Sequence, residues 1–205
     1  MSEKYRFLYR PYAELLYLAL KDDPFYAAME QSVDTPEPSA AREAMFAYLD
    51  YSMVEAEMHD TLYMASEHKY GVSVWSKPLS GKAAATKRDH KYKFLSQYMG
   101  ERSLDTYKEI VGFMAAQASP LVDDSAWYLS IVGVLPEFQG RGLGVGLLAS
   151  VLAEADEQGL ATYLETFTPR NESFYERLGY EVAERIEEPS IPASYALMIR
   201  PAGGR

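Results

Sequence analysis

The sequence predicts one domain of mixed α/β (α+β) class: a central mixed sheet of about six to seven strands with helices packed on its faces. Two observations lead there. Residues 127–167 read as an apolar strand, a glycine-rich turn, a helix and a second apolar strand, which is a βαβ crossover joining two parallel strands. Around that unit, segments with apolar residues at i, i+3, i+4 and i+7 mix with short β-rich runs, and neither a repeat nor a composition break divides the 205 residues.

Taken in order, residues 5–9 are expected to form a short first strand. Pro11 then opens a helix with Tyr12, Leu15, Leu16, Ala19 and Leu20 on one face, broken at Asp23-Pro24. Residues 25–31 form a further helical turn, and Thr35-Pro-Glu-Pro38 is a stiff connector. Ser39 is the expected N-cap of a helix running to about Met58, with Met45, Leu49 and Met53 aligned. Residues 61–66 and 70–76 pair as a hairpin closed off by Pro78. Residues 81–93 carry Lys82, Lys87, Arg88, Lys91 and Lys93; they read as a solvated loop or, more sharply, as a patch that greets an anionic ligand. A helix follows over 104–118, then a buried strand over 127–134 and a helix over 147–157 capped by Gly159. A second buried strand covers 161–167, a short helix 171–178 ends at Gly179, and residues 180–186 and 194–199 are two closing strands.

Composition narrows the function. With 48% hydrophobic and 24% charged residues the chain has a core to bury and is not disordered. A net charge of −10 disfavours a dedicated nucleic-acid binder. The absence of cysteine removes disulfides, thiolate metal sites and an acyl-cysteine intermediate. His59, His68 and His90 show no metal-ligand spacing, so no metal is expected. No apolar run reaches membrane-spanning length and the first thirty residues lack a leader, so no membrane partner is expected and the expected location is cytoplasmic.

The stretch from Val132 to Leu148 runs from strand through glycines into helix. Such a turn aims free backbone amides and the positive end of a helix dipole at one point, which makes an anion cradle. A Walker P-loop is excluded, because Gly81-Lys82 runs into alanine. A dinucleotide fingerprint is closer: Gly144-Val-Gly146-Leu-Leu-Ala149 fits G-x-G-x-x-A, with Glu165 about twenty residues on. Against it, Leu135-Pro-Glu-Phe-Gln139 separates strand from glycines, and too little chain follows for a doubly wound sheet.

Val134-x-Pro136-x-x-Gln139-x-x-Gly142-x-Gly144 contains Q-x-x-G-x-G, and Asn171-x3-Tyr175-x3-Gly179-Tyr180 follows. Together they resemble the GNAT N-acetyltransferases, in the branch that contains puromycin N-acetyltransferase. The match is strong over about residues 127–180 and loose upstream, so it names the acyl donor better than the acceptor. The resemblance implies a GNAT fold with a splayed parallel pair, acetyl-CoA as cosubstrate, an acetyl-CoA-binding core over about 126–180 and acceptor-side helices and hairpin over about 1–120 of a single domain, 1–205. It implies that the pantetheine arm pairs with the backbone of Val132 and Val134 beside Gly133, itself a candidate bulge or close-approach site. Gln139 and the amides of Gly140, Arg141, Gly142, Leu143 and Gly144 would take the pyrophosphate, with Arg141 adding charge. Asn171 would bond the pantetheine, cap its helix, or both.

The family resemblance further implies direct attack of a primary amine on the thioester within a ternary complex, which the missing cysteine fits. Glu165 is the candidate general base, acting through a water, with a structural carboxylate as the bland alternative. Tyr175 is the candidate acid for the leaving thiolate. That transfer is uphill by roughly 2 kcal/mol at ordinary pKa values, and the alternative is a packed aromatic beside Phe174 and Leu178. The acceptor is a small-molecule or peptide amine, and the acidic balance suits a cationic one. Asp22, Asp23, Glu30 and Glu55 are candidate carboxylates at its cleft, with Phe25, Tyr26, Tyr48, Tyr51 and Trp75 as candidate lining. The rival reading is a GNAT-shaped module that binds CoA without turnover. Oligomeric state stays open, a homodimer through the closing strands included.

Overall fold

Prolines start the first three helices. α1 (Arg10–Leu20), α2 (Pro24–Ser32) and α3 (Pro38–Glu57) each carry one in the first turn, where the missing N–H would have no partner anyway. The Asp23 carboxylate caps α2 by accepting from the Phe25 amide at 3.0 Å. Glu37, rather than Ser39, holds the N-cap position of α3, because Pro38 already begins the helix. The computed structural model describes residues 4–59, 61–64 and 69–203. The remaining elements are β1 (Leu62–Met64), β2 (Gly71–Ser76), α4 (Gly81–Tyr98), α5 (Glu101–Ala118), β3 (Trp127–Val134), α6 (Leu143–Glu157), β4 (Thr162–Thr166), α7 (Glu172–Glu176), β5 (Glu181–Glu188) and β6 (Ala193–Arg200).

Six strands form one mixed sheet in the order β1-β2-β3-β4-β6-β5. β1 and β2 make the expected antiparallel hairpin; residues 65–68, with the expected end of its first strand and His68, lie outside the described residues. The crossover through α6 makes β3 and β4 parallel, and the other neighbouring pairs are antiparallel. One face of the sheet is covered by α1, α3 and α4, around Leu16, Met45, Leu49, Met53 and Leu95. The opposite face is covered by α6 and α7, around Leu148, Leu152 and Tyr175. A third apolar cluster joins α5 to β5 and β6 through Ile110, Ile186 and Leu197.

Two expectations are overturned. Residues 5–9 do not form a strand. The Tyr5 hydroxyl (2.8 Å) and the amides of Leu8 (3.2 Å) and Tyr9 (2.6 Å) converge on the fully buried Asp50 carboxylate of α3, so a side chain satisfies donors that a neighbouring strand would otherwise take. Residues 81–93 are not a loop but most of α4. Lys87 and Lys91, one turn apart, point inward at Glu55, while Lys82, Arg88 and Lys93 are exposed. Lysines therefore stand at positions where an amphipathic helix would show apolar residues.

The bulge anticipated at Gly133 lies at Ser130. Trp75 of β2 pairs with Leu129 and Val74 with Ile131, leaving Ser130 as the extra residue on β3. Gly133 itself pairs regularly with Val72. Its lack of a side chain serves close approach instead, since a Cβ there would lie 2.7 Å from Leu16 Cδ2 and 3.2 Å from Ala19 Cβ of α1. The extra residue flips the strand. Trp127 and Leu129 pack with α6, whereas Ile131 joins the α1–α3 cluster and Gly133 meets α1.

Candidate active site

β3 and β4 pair at Trp127↔Thr162 and Tyr128↔Tyr163 and then diverge, while β4 stays paired to β6 along its whole length. A wedge-shaped opening results, and the Ser130 bulge decides what faces it. Before the bulge, Trp127 N donates to Ala161 O on the β4 side. After it, Leu135 N donates to Tyr70 O on the β2 side, so by alternation the backbone groups of Val132 and Val134 point into the opening.

At the end of β3 the chain makes a 3-10 turn, Pro136–Phe138, before the glycines. The Gln139 side chain folds back and donates to Val134 O at 2.8 Å, tying the turn to the strand end. Gly140 and Gly142 have φ of 73° and 76°, values that cost other residues strain, and Gly142 is the N-cap of α6. Leu143 and Gly144 begin α6, four residues earlier than the sequence pattern suggested, so their amides have no intrahelical acceptor. A Cβ on Gly144 would press on the Phe174 ring at 3.1 Å, which keeps this turn narrow. Arg141 lies over the Phe138 ring at 5.5 Å and has no carboxylate partner among the described residues. The geometry suits a pyrophosphate with an extended arm entering the opening.

On the α3–α5 side, a cavity of about 360 Å³ opens onto the diverging strands. Its sheet wall holds Tyr128, Ser130, Ile131, Tyr163, Glu165 and Phe167. The Tyr128 and Tyr163 rings stack at 4.8 Å. Glu165 is half-buried, and its Oε2 is buried with no hydrogen-bond partner among the described residues. Burial raises its pKa to about 7, only partly offset by hydrogen bonding to Tyr128 and to its own backbone. Asp23, at the N-cap of α2, is likewise pushed to about 6 by burial. Across the cavity, the Glu55 carboxylate of α3 sits 3.4 Å from Lys91 Nζ and 3.9 Å from Lys87 Nζ, with its Oε1 buried and unpartnered among the described residues. Lys91 also donates to Ser52 Oγ and lies over the Tyr51 ring; burial lowers its pKa.

Tyr175, on α7, is buried against Phe174 and Tyr180. Burial raises its phenol pKa, with Tyr180 and Asp23 adding to the effect, so the site does not make it a stronger acid. Asn171 closes the 3-10 turn Pro169–Asn171 in helical conformation and makes no side-chain cap, so the capping alternative fails. Of the acceptor candidates, Asp23, Glu55, Phe25, Tyr26, Tyr48 and Trp75 line the cavity. Glu30 instead accepts from the Tyr17 hydroxyl at 2.9 Å, Asp22 is exposed, and Tyr51 stacks on Phe94. Tyr128, Tyr163 and Tyr107 were missed. The alternate, less buried phase of Tyr128 and Tyr163 on their strands is the signal that could have found the first two. Among the described residues, no group of three or more histidines or carboxylates is placed to hold a metal ion, and no helix is long and apolar enough to cross a membrane.

The comparisons with known proteins agree with this geometry. Residues 100–182 match the family model of the acetyltransferase (GNAT) domain. An uncharacterized N-acetyltransferase of Schizosaccharomyces pombe is 25% identical over 189 residues, covering 87% of this chain and 72% of the relative. The fold is similar to a Corynebacterium glutamicum structure described as histone acetyltransferase HPA2 and related acetyltransferase, with TM-score 0.60, 20% identity and coverage of 94% and 90% of the two chains. Arylalkylamine N-acetyltransferase 2 of Aedes aegypti superposes with TM-score 0.57 at 13% identity, covering 98% and 99%. Over residues 100–182 the chain is similar to the GNAT acetyltransferases, and its fold is theirs. Acetyltransferases of that family draw the acetyl group from acetyl-CoA.

Proposed function

We propose that this chain transfers the acetyl group of acetyl-CoA to a primary amine by direct attack in a ternary complex. The observation that carries the reading is Glu165: a half-buried carboxylate whose Oε2 is buried and unpartnered among the described residues, on the wall of a cavity that meets the strand opening. Acetyl-CoA supplies an activated thioester. The amides of Gly140, Arg141, Gly142, Leu143 and Gly144 bind its pyrophosphate, with Gln139 holding the turn in shape. The backbone of Val132 and Val134 pairs with the pantetheine arm, and Asn171 lies within the second motif that resembles the family's.

An alkylammonium ion must lose a proton to become a nucleophile, and a base with a pKa of about 7 accepts it while staying largely ionised above neutrality. Glu165 fills that role, directly or through one water. Tyr175, neutral and buried, stabilises the leaving thiolate by donating a hydrogen bond rather than by releasing its proton outright. The motifs resemble those of the puromycin N-acetyltransferase branch over residues 127–180, which supports the donor and leaves the acceptor to the cavity. The arylalkylamine specificity in the name of the Aedes aegypti protein is compatible with the aromatic walls here.

The test is thiol release from acetyl-CoA against a broad amine panel, with CoA affinity measured by calorimetry. Glu165→Gln and Tyr175→Phe should keep CoA affinity within about threefold, while kcat falls on the order of a hundredfold for the first and at least tenfold for the second. CoA binding without turnover of any amine would instead identify a sensor module.

A further inference from the structure

The cavity is electrically two-ended. Toward β4 its charged groups among the described residues are the carboxylates Asp23 and Glu165, and the raised pKa of Glu165 owes nothing to any lysine. Toward α4 it holds Lys87 and Lys91 against the single carboxylate of Glu55, an excess of one positive charge. Aromatic rings of Tyr26, Tyr48 and Tyr107 lie between.

The α4 end continues into a groove of about 460 Å³ between α4 and α5. Among the described residues, five of the chain's twenty lysines and arginines line it, with Glu55 as the only carboxylate. Three are already engaged: Lys77 with Glu154 at 2.9 Å, Arg88 with Asp89 at 3.4 Å, and Lys91 with Glu55. Two remain. Lys87 is held by Ser76 Oγ at 2.9 Å and only loosely by Glu55 at 3.9 Å. Lys108, exposed on α5 over the Tyr92 ring, has no ion pair among the described residues. This cluster is not part of the pyrophosphate cradle. It adjoins Ser76, which pairs with Tyr128, six residues and roughly 20 Å along β3 from Val134, where the glycine turn begins.

We propose that the acceptor carries an anionic group at the end opposite its amine, with an apolar or aromatic spacer between. Lys87 and Lys108 at the α4–α5 mouth receive the anion, and Glu165 receives the amine. This rests on the acetyltransferase reading above and reverses the expectation, drawn from net charge alone, of a purely cationic acceptor. The global charge of −10 says nothing of a local field, and the local field at this mouth is positive. Charge complementarity at both ends would also fix which end enters first.

The test uses three acceptors of one shape: 4-(aminomethyl)benzoate, 4-methylbenzylamine and the dication p-xylylenediamine. The benzoate should be acetylated with kcat/KM about tenfold above the methyl compound, and the diamine should rank last. Lys108→Glu, on an exposed helix surface and so tolerated by the fold, should remove most of the benzoate's advantage; Lys87→Met should do so too. Preference for the diamine or the methyl compound overturns the inference and leaves the acetyltransferase reading standing. So does a benzoate advantage that Lys108→Glu and Lys87→Met leave intact. Calorimetry of each amine into the CoA-loaded protein gives a second readout. If no amine is acetylated, tighter binding of the benzoate still supports the two-ended cavity, and equal or weaker binding sinks it.

Discussion

Tyr128 and Tyr163 are the last residue pair of the parallel ladder, and their rings stack 4.8 Å apart on the cavity side where the strands begin to diverge. The stack braces the apex of the opening and at the same time forms part of the cavity wall. Tyr163→Leu should cost about 1 kcal/mol of stability, the usual worth of an aromatic pair beyond its burial. In kinetics it should raise the acceptor KM several-fold while CoA affinity stays put. Equal losses for both ligands would mean that the opening itself had collapsed.

The pH dependence of turnover follows from Glu165. A base must be ionised to take a proton, so kcat should rise with pH through an apparent pKa near 7. Glu165→Gln should abolish that limb. A wild-type profile flat between pH 6 and 8.5 with chemistry rate-limiting would remove Glu165 from the base role.

The same group makes a prediction about stability with the opposite sign from most carboxylates. Its pKa is raised by folding from 4.5 to about 7, so between those values the folded state binds more protons than the unfolded one. The contribution is fully present below about pH 4.5 and is lost as pH rises through about 7. Glu165→Gln keeps the neutral form at every pH. It should therefore be more stable than wild type at pH 8, by an amount on the order of 2 kcal/mol, and nearly equal to it at about pH 4. Thermal melts of both proteins at the two pH values check this.

Gly142 separates conformation from crowding. A Cβ there would meet nothing within 4 Å, yet its φ is 76°. Gly142→Ala should therefore cost about 1–2 kcal/mol through backbone strain alone. Relief of that strain turns the amides of the turn, so CoA affinity should fall about tenfold or more. A melting shift without an affinity change would mean that the cradle lies elsewhere.

Legibility from sequence follows the range of the interactions. The unit β3–α6–β4 and its glycines were readable because the turn, the helix start and both strands are specified within forty residues. The misreading of residues 5–9 has a distant cause: their partner, Asp50, lies more than forty positions away. α4 was hidden because its inward positions are Lys87 and Lys91, which stay there through Glu55 on another helix. The strand flip was hidden most completely. Burial alternates without interruption along β3, yet Leu129 and Ile131 are buried on opposite faces. A period-two pattern reports that alternate residues are covered but not by which layer. For the proposed site, the donor half rests on two motifs each contiguous in sequence, whereas Tyr107, Tyr128 and Tyr163 meet only through tertiary packing.

The bulge at Ser130 makes this position more tolerant of change than its place in β3 suggests. Its hydroxyl donates to Val74 O at 3.0 Å, a single bond that alanine would forgo at small cost. Removal of the residue would leave the flanking pairs Trp75–Leu129 and Val74–Ile131 in register and on their present faces, because Leu129 and Ile131 already lie on opposite faces, as consecutive strand residues do. What it would take away is a residue of the cavity wall and the local bend that a bulge puts into a strand. The position is therefore free in letter and in count as far as the phase of β3 is concerned, whereas an insertion or deletion between Ile131 and Val134 would turn the backbone of Val134 away from the opening.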